Sequence, residues 1–350
     1  MRIPYGISNF ADLRRNGYVF ADKSGLIPNL EDAEKGRRYL IFLRPRRMGK
    51  SLLLSMLEHY YDVLAAPHFD ELFGGLWVHD HPTPERGKYL VLTLDFSPVN
   101  TDGDAADIRR SFATTVKNCV RAFLMRYGAR IPKLARLEDA LDTYDDAAGL
   151  LGAVLSIVSG AGHKLYLVID EYDHFANRLL ADGDQGLYES IVRGTGFVRS
   201  FYAALKAGTG TGALGRMFVT GVSPIMLADL SSGFNIISHV SQQDQFSAMA
   251  GFTRAEVERA TDEFLAGKPH LVSDPRIADR AALIDAMERH YNGYRFSRGA
   301  PERMFNSDLV LYFLRQLENT GRYPEQMLDL NVRTDYGRLQ RIAKLSGVGG

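Results

Sequence analysis

The sequence predicts an α/β protein: a parallel sheet with helices on both faces, followed by a smaller, mostly helical unit. Three observations predict it. Four short apolar runs, 39–43, 89–95, 165–169 and 217–220, have the length and composition of buried strands. Segments with helical spacing separate these runs, and strands joined through helices form a parallel sheet covered on both sides. Beyond Gly251 the strand signals fade, and helical periodicity runs to about residue 318.

Composition narrows the class. The 350 residues carry 42 Lys+Arg against 42 Asp+Glu, so the chain as a whole has no attraction for nucleic acid or an anionic membrane surface. Hydrophobic residues at 45% and charged residues at 24% are ordinary for a globular protein and exclude a disordered or collagen-like chain. That length fits two domains. The single cysteine, Cys119, excludes an intramolecular disulfide framework and a multi-cysteine zinc site, which fits a reducing compartment. The opening Met1-Arg2-Ile3-Pro4-Tyr5-Gly6 lacks the apolar core of a signal peptide. Ala147 to Gly162, the longest weakly polar run, is interrupted by glycines and falls short of the roughly 20 residues that span a bilayer. The expectation is a soluble, cytoplasmic protein.

The elements follow in order. The N-terminal segment mixes turn signals with aromatics (Tyr5-Gly6-Ile7, Tyr18-Val19-Phe20) and ends in Glu34-Lys35-Gly36-Arg37-Arg38. The first strand, Tyr39-Leu40-Ile41-Phe42-Leu43, leads through a polar loop into a helix. Its spacing is carried by Leu53, Met56, Leu57, Tyr60, Tyr61 and Leu64. Residues 104–158 read as helices broken at Gly128 and at Ile131-Pro132. The third strand runs into Asp170-Glu171-Tyr172-Asp173. Helix-like residues near 187–206 and a glycine-rich stretch, 208–215, precede the fourth strand. Thr253-Arg254-Ala255-Glu256 has the form of a capping box that opens a helix. These signals divide the chain near residue 248, into an α/β core with its N-terminal segment (1–248) and a helical domain (249–350). No internal repeat is visible.

The sharpest chemical signal is Arg44-Pro45-Arg46-Arg47-Met48-Gly49-Lys50-Ser51, set between a strand and a helix. A phosphate-binding loop needs backbone N–H groups converging on an anion at a helix N-terminus. It also needs a glycine for close approach, a lysine for the β- and γ-phosphates and a hydroxyl for Mg²⁺. Gly49, Lys50 and Ser51 supply these in order, although Arg44 stands where the first glycine of the pattern belongs. The alternative is a helix start beside a solvated basic loop. About 120 residues later, an apolar strand ends in Asp170 and Glu171. Such a pair suits an Asp near Mg²⁺ and a Glu that polarises the attacking water; alone, it also suits two acids facing solvent. Both motifs in this order favour a nucleoside-triphosphate site.

The 44–52 loop resembles the "RPRRFGKS" loop of the predicted AAA-ATPase-like proteins. Pro4-Tyr5-Gly6-Ile7-Ser8-Asn9-Phe10 with Tyr18 to Ser24 is similar to that family's opening segment, and Asp170-Glu171-Tyr172-Asp173 to its acidic strand end. Thr220-Gly221-Val222-Ser223-Pro224 resembles its fourth-strand motif and Gly251-Phe252-Thr253 the start of its lid. Tyr291-Asn292-Gly293-Tyr294-Arg295-Phe296 with Phe305-Asn306-Ser307 resembles its late "Y.GY.F…NP" motif, Ser307 replacing the usual proline. The resemblance covers nearly the whole chain. It implies an additional-strand P-loop ATPase core and makes Arg44 a family habit. It further implies ATP and Mg²⁺ as ligands, with Arg46, Arg47, Met48, Gly49, Lys50, Ser51 and Leu52 around the nucleotide. Lys50 would hold the phosphates, Ser51 and Asp170 the metal, and Glu171 would be the base. Thr220 stands where a polar sensor meets the γ-phosphate or the lytic water, or is an ordinary strand-end threonine. The family often carries a PD-(D/E)XK nuclease-like domain after the ATPase part; this sequence ends at Gly350, before one would fit, and no nuclease activity is carried over.

Other signals point elsewhere. Gly210-Thr211-Gly212-Ala213-Leu214-Gly215 spells a dinucleotide fingerprint but precedes a strand, the reverse of the required order, and reads as a flexible loop. His79-Asp80-His81 lies in a proline-rich loop without further ligands, and Cys119 reads as a small buried hydrophobe. Arg193 and Arg199 fit either surface charge or an arginine finger. Arg46 and Arg47 fit phosphate contact or a solvent- or partner-facing role. No guanine-reading motif is apparent, so adenine is the default base. The expected function is an ATP-binding, ATP-hydrolysing regulatory module working with a protein partner or a further C-terminal domain. The alternative is a nucleotide-binding scaffold with little hydrolysis. The region 251–317 is expected to be a lid packed beside the cleft, with Arg295 either near phosphate or packed by its stem.

Overall fold

The computed structural model describes residues 2–32, 37–230, 234–271 and 275–328. Glu34-Lys35-Gly36 and the C-terminal end of the 249–350 unit lie outside the described residues. Five parallel strands form the central sheet: β1 (Tyr39–Leu43), β2 (Leu90–Asp95), β3 (Leu165–Asp170), β4 (Leu214–Gly221) and β5 (Ser238–His239). Their order is β2-β3-β4-β1-β5. Strand β4 therefore stands between the strand that feeds the phosphate loop and the strand that ends in the acids. This is the additional-strand P-loop NTPase fold.

The register brings the functional ends level. Leu43 lies beside Gly221, Ile169 beside Val219, and Asp95 beside Asp170. Period-two alternation splits each strand between two cores. Ile41, Leu43, Leu167 and Ile169 face the helices Ala105–Tyr127, Ala147–Gly160 and Phe197–Gly210. Leu40, Phe42, Val168 and Phe218 face helix Lys50–Tyr61 and part of the N-terminal segment. Both faces are covered, which is why the strands read as continuous apolar runs. Edge strand β5 escaped the sequence reading because a two-residue Ser-His ladder beside Leu40 and Ile41 has no apolar run.

The glycine-rich 208–215 stretch is more ordered than the flexible loop expected. Helix Phe197–Gly210 continues into it, and Gly212, at φ +73°, turns the chain into β4. Gly208 is a packing glycine, because a Cβ there would stand 2.7 Å from Leu155 Cδ1. Cys119 is half-buried against the first core.

A third core holds the helical unit. Helices Arg254–Ala266, Arg280–Tyr291 and Ser307–Thr320 bury Val257, Phe264, Leu283, Met287, Val310 and Phe313 together. The capping box forms, with Thr253 and Glu256 bonding each other's backbone. A small antiparallel pair, β6 (Asn292–Tyr294) and β7 (Met304–Phe305), was too short to predict. The N-terminal segment, expected with the α/β core alone, divides its apolar residues. Phe10, Ile27 and Leu30 join the core under helix Lys50–Tyr61, while Ile3 and Val19 join the helical unit. Among the described residues, no helix is long and apolar enough to cross a membrane.

Phe10 makes this arrangement testable. Its N–H donates to Ser55 Oγ at 3.0 Å, and its fully buried ring lies 4.9 Å from that of Phe73. Phe10→Ala should cost about 3–5 kcal/mol in urea unfolding. A loss below about 1 kcal/mol would make the N-terminal segment an appendage.

Candidate nucleotide-binding site

The loop from β1 to helix Lys50–Tyr61 owes its shape to two left-handed residues. Gly49, at φ +82°, caps the helix, and only glycine reaches that conformation without steric cost. Arg47, at φ +66°, does so with a side chain and must be held there.

Arg44, which stands where the first glycine of the phosphate-loop pattern belongs, does not offer its charge to the cavity. Its guanidinium points into the protein and is 1% exposed. Nη1 donates to the carbonyls of Leu43 and Ser241, both at 2.8 Å, and Nη2 to that of Phe246 at 2.9 Å. The rings of Phe42 and Phe296 lie 4.1 Å and 3.9 Å from the guanidinium carbon, on the geometry of cation–π contacts. Burial pushes its pKa down to about 9. Arg44 rivets the end of β1 to the 241–246 turn.

Asp170 is the centre of the acidic side. Its Oδ2 accepts from Ser51 Oγ at 2.6 Å, and its Oδ1 accepts from Thr220 Oγ1 at 2.6 Å and from Glu171 N–H at 2.9 Å. Ser51 thus meets the acid across 119 residues of sequence. Thr220 is fully buried and its hydroxyl is committed to Asp170.

Lys50 and Glu171 face each other. Lys50 Nζ donates to the carbonyls of Arg44 and Pro45, both at 3.1 Å, and stands 4.0 Å from Glu171 Oε1. Burial lowers the Lys50 pKa, against the pull of Glu171, Asp170 and Asp173. Burial alone would raise the Glu171 carboxyl, but His174, Lys50 and Arg46 together hold its pKa below the ordinary value. Glu171 sits at φ +52°, and its buried Oε2 has no hydrogen-bond partner among the described residues, with His174 Nδ1 3.7 Å away. A charged acceptor in a strained turn is suited to binding a water. His174 was not foreseen, since nothing in the sequence marks a helix-start histidine as a neighbour of the acid.

A cavity of about 430 Å³ opens beside these groups. Its walls come from the N-terminal segment (Ile7, Phe20, Lys23), from Arg46 to Leu53, and from the helical unit (Gly251, Ser307). Lys23 Nζ pairs with Glu256 at 2.6 Å, joining the N-terminal segment to the helical unit. Among the other expected residues, Arg47 turns its guanidinium to Asp308 at 2.8 Å. Met48 is fully buried, and Leu52 is half-buried at the cavity wall. Arg295 donates to the Arg298 carbonyl in its own loop at 2.8 Å, and Arg193 pairs with Asp229 at 2.7 Å. Asp173 is fully buried and accepts from the N–H groups of Val222 and Ser223 just after β4.

A family model described as predicted AAA-ATPase matches residues 4–231. An uncharacterized protein in the vnfD 5′ region of Azotobacter chroococcum mcd 1 is 26% identical over 325 residues. That match covers 90% of this chain and 52% of the relative, so the chain spans about half of that protein's length. The Walker-type ATPase of Pyrococcus abyssi superposes with a TM-score of 0.53 at 12% identity, covering 97% of this chain and 80% of that one. At that identity the likeness is one of fold.

Arg44→Lys tests the rivet. An ammonium cannot reproduce the guanidinium fork, so carbonyls such as that of Phe246 lose their donors. Stability in urea should fall by about 1–3 kcal/mol. An unchanged midpoint would mean that the guanidinium faces solvent.

Proposed function

This chain belongs to the AAA-ATPase-like family of predicted AAA-ATPases, and from that premise we propose that it binds ATP with Mg²⁺ and hydrolyses it slowly, as a regulatory module. One observation carries the reading: the hydroxyl of Ser51 and the carboxylate of Asp170 meet at 2.6 Å, beside Lys50 and a cavity of nucleotide size. In this reading the loop residues 46–52 wrap the phosphates and Lys50 meets the β- and γ-oxygens. Ser51 Oγ and Asp170 would hold Mg²⁺, which when bound neutralises charge on the phosphate oxygens. Among the described residues no group of three or more His, Cys, Asp or Glu is placed to hold a metal ion by itself. A Mg²⁺ shared between one carboxylate, one hydroxyl, water and phosphate needs none.

Glu171 orients the attacking water and takes its proton. Thr220 holds the Asp170 carboxylate in position, and the base lies against the apolar wall of Pro4, Ile7, Phe20 and Met56. The helical unit is the lid, and its packing on the phosphate loop supports a role in reporting nucleotide state to a protein partner or further domain. The alternative is a scaffold that binds without hydrolysing, which a looser phosphate wrap in the absence of the first glycine would favour. The Arg44 guanidinium at that position turns into the protein and leaves the cavity free, and the Asp170-Glu171 pair beside Lys50 supports the hydrolysing reading.

Two substitutions test the reading. ATP–Mg²⁺ at 100 times its Kd should stabilise the wild type by about 2.7 kcal/mol, and Lys50→Ala should abolish the shift. Glu171→Gln should keep the shift and lower turnover by about 10²–10⁴-fold. A shift that persists in Lys50→Ala would place the nucleotide elsewhere.

A further inference from the structure

We infer that the turn Asn306-Ser307-Asp308 in the lid is a positioning element of the phosphate loop, fixing from outside the loop shape that a first glycine would otherwise permit. The inference rests on the nucleotide-binding reading of that loop. Three successive loop carbonyls are bonded by the helical unit. Asn306 Nδ2 donates to the Arg46 carbonyl at 3.4 Å. Ser307 Oγ and Asp308 N–H donate to that of Arg47 at 3.3 Å and 3.2 Å. Gly251 N–H donates to that of Met48 at 2.7 Å.

In a trans peptide the C=O of one residue and the N–H of the next point in opposite directions. Carbonyls 46, 47 and 48 drawn toward the lid therefore aim the N–H groups of Arg47, Met48 and Gly49 away from it. Convergent N–H groups are what a phosphate loop supplies to an anion.

The same turn fixes Arg47. Asp308 Oδ2 takes its Nη1 at 2.8 Å, so both the side chain and the carbonyl of this left-handed residue end on one lid residue. Such a conformation persists only where the surroundings determine it. Asn306 is itself rigid: it is 3% exposed and caps helix Ser307–Thr320 by accepting from Leu309 N–H at 3.3 Å. Ser307 also closes on the loop, since a Cβ on Gly49 would meet its Oγ at 3.5 Å. The late Asn-Ser motif thereby gains a role that its distance from the phosphate motif in sequence conceals.

The test is calorimetric titration of the full chain with ATP–Mg²⁺. Asp308→Asn is nearly isosteric and keeps the backbone donor, while Asn306→Ala removes the Arg46 contact. Each should weaken ATP binding by on the order of 5- to 150-fold, with unchanged circular dichroism. In an Arg47→Gln background Asp308→Asn should add little further loss, a non-additivity that general destabilisation does not produce. If Asn306→Ala fails to fold, Asp308→Asn and the cycle decide alone. Wild-type affinity in the folded lid variants, or additive losses in the cycle, would overturn the inference while leaving the nucleotide reading intact. No ATP binding by the wild type would instead overturn that reading, and the inference with it.

Discussion

The site depends on one carboxylate bridging a gap that the topology creates. Because β4 lies between β1 and β3, the acid and the phosphate loop start two strand spacings apart, about 10 Å. Asp170 closes that gap by accepting from Thr220 on the intervening strand and from Ser51 at the start of the loop helix. The level register of the strand ends, Leu43 with Gly221 and Ile169 with Val219, is what makes this reach possible. A one-residue slip would turn Asp170 to the opposite face of the sheet and leave Ser51 without it.

Around that centre, the loop is held from three sides. Arg44 anchors its start, with a buried charge compensated by carbonyls and two aromatic faces. Helix Lys50–Tyr61 anchors its end through apolar residues along its length, from Leu53 to Tyr61, packed under the sheet. The lid takes its outer carbonyls. The N-terminal segment ties these together, because Phe10 packs with the loop helix while Val19 packs with the lid, and Lys23 pairs with Glu256 between them. The helical unit and the loop are thus joined by direct contacts, through which any displacement of one would act on the other.

Much of this was legible. Strands β1 to β4 announced themselves as apolar runs because both of their faces are buried. Lys50, Ser51, Asp170 and Glu171 stood out because phosphate and metal chemistry would call for those residue types at a helix start and a strand end, and the fold brings the four together. Strand β5 was not legible, since two polar residues at a sheet edge leave no periodic trace. The direction of Arg44 was also hidden: a basic residue in a phosphate motif suggests phosphate, and only tertiary structure supplies the carbonyls and rings that take it inward. The contact of Arg47 with Asp308 spans 261 residues, and no local pattern encodes a pairing at such distance. The Asn306-Ser307 motif did carry a signal, but its partner was invisible until the chain was folded.

Hydrogen exchange with and without ATP–Mg²⁺ tests most directly whether loop and lid form one nucleotide-dependent unit. Protection should increase at residues 44–52 and, together with them, across 251–317. Protection confined to 44–52 would contradict the coupling, and no change at 44–52 would contradict the nucleotide site itself.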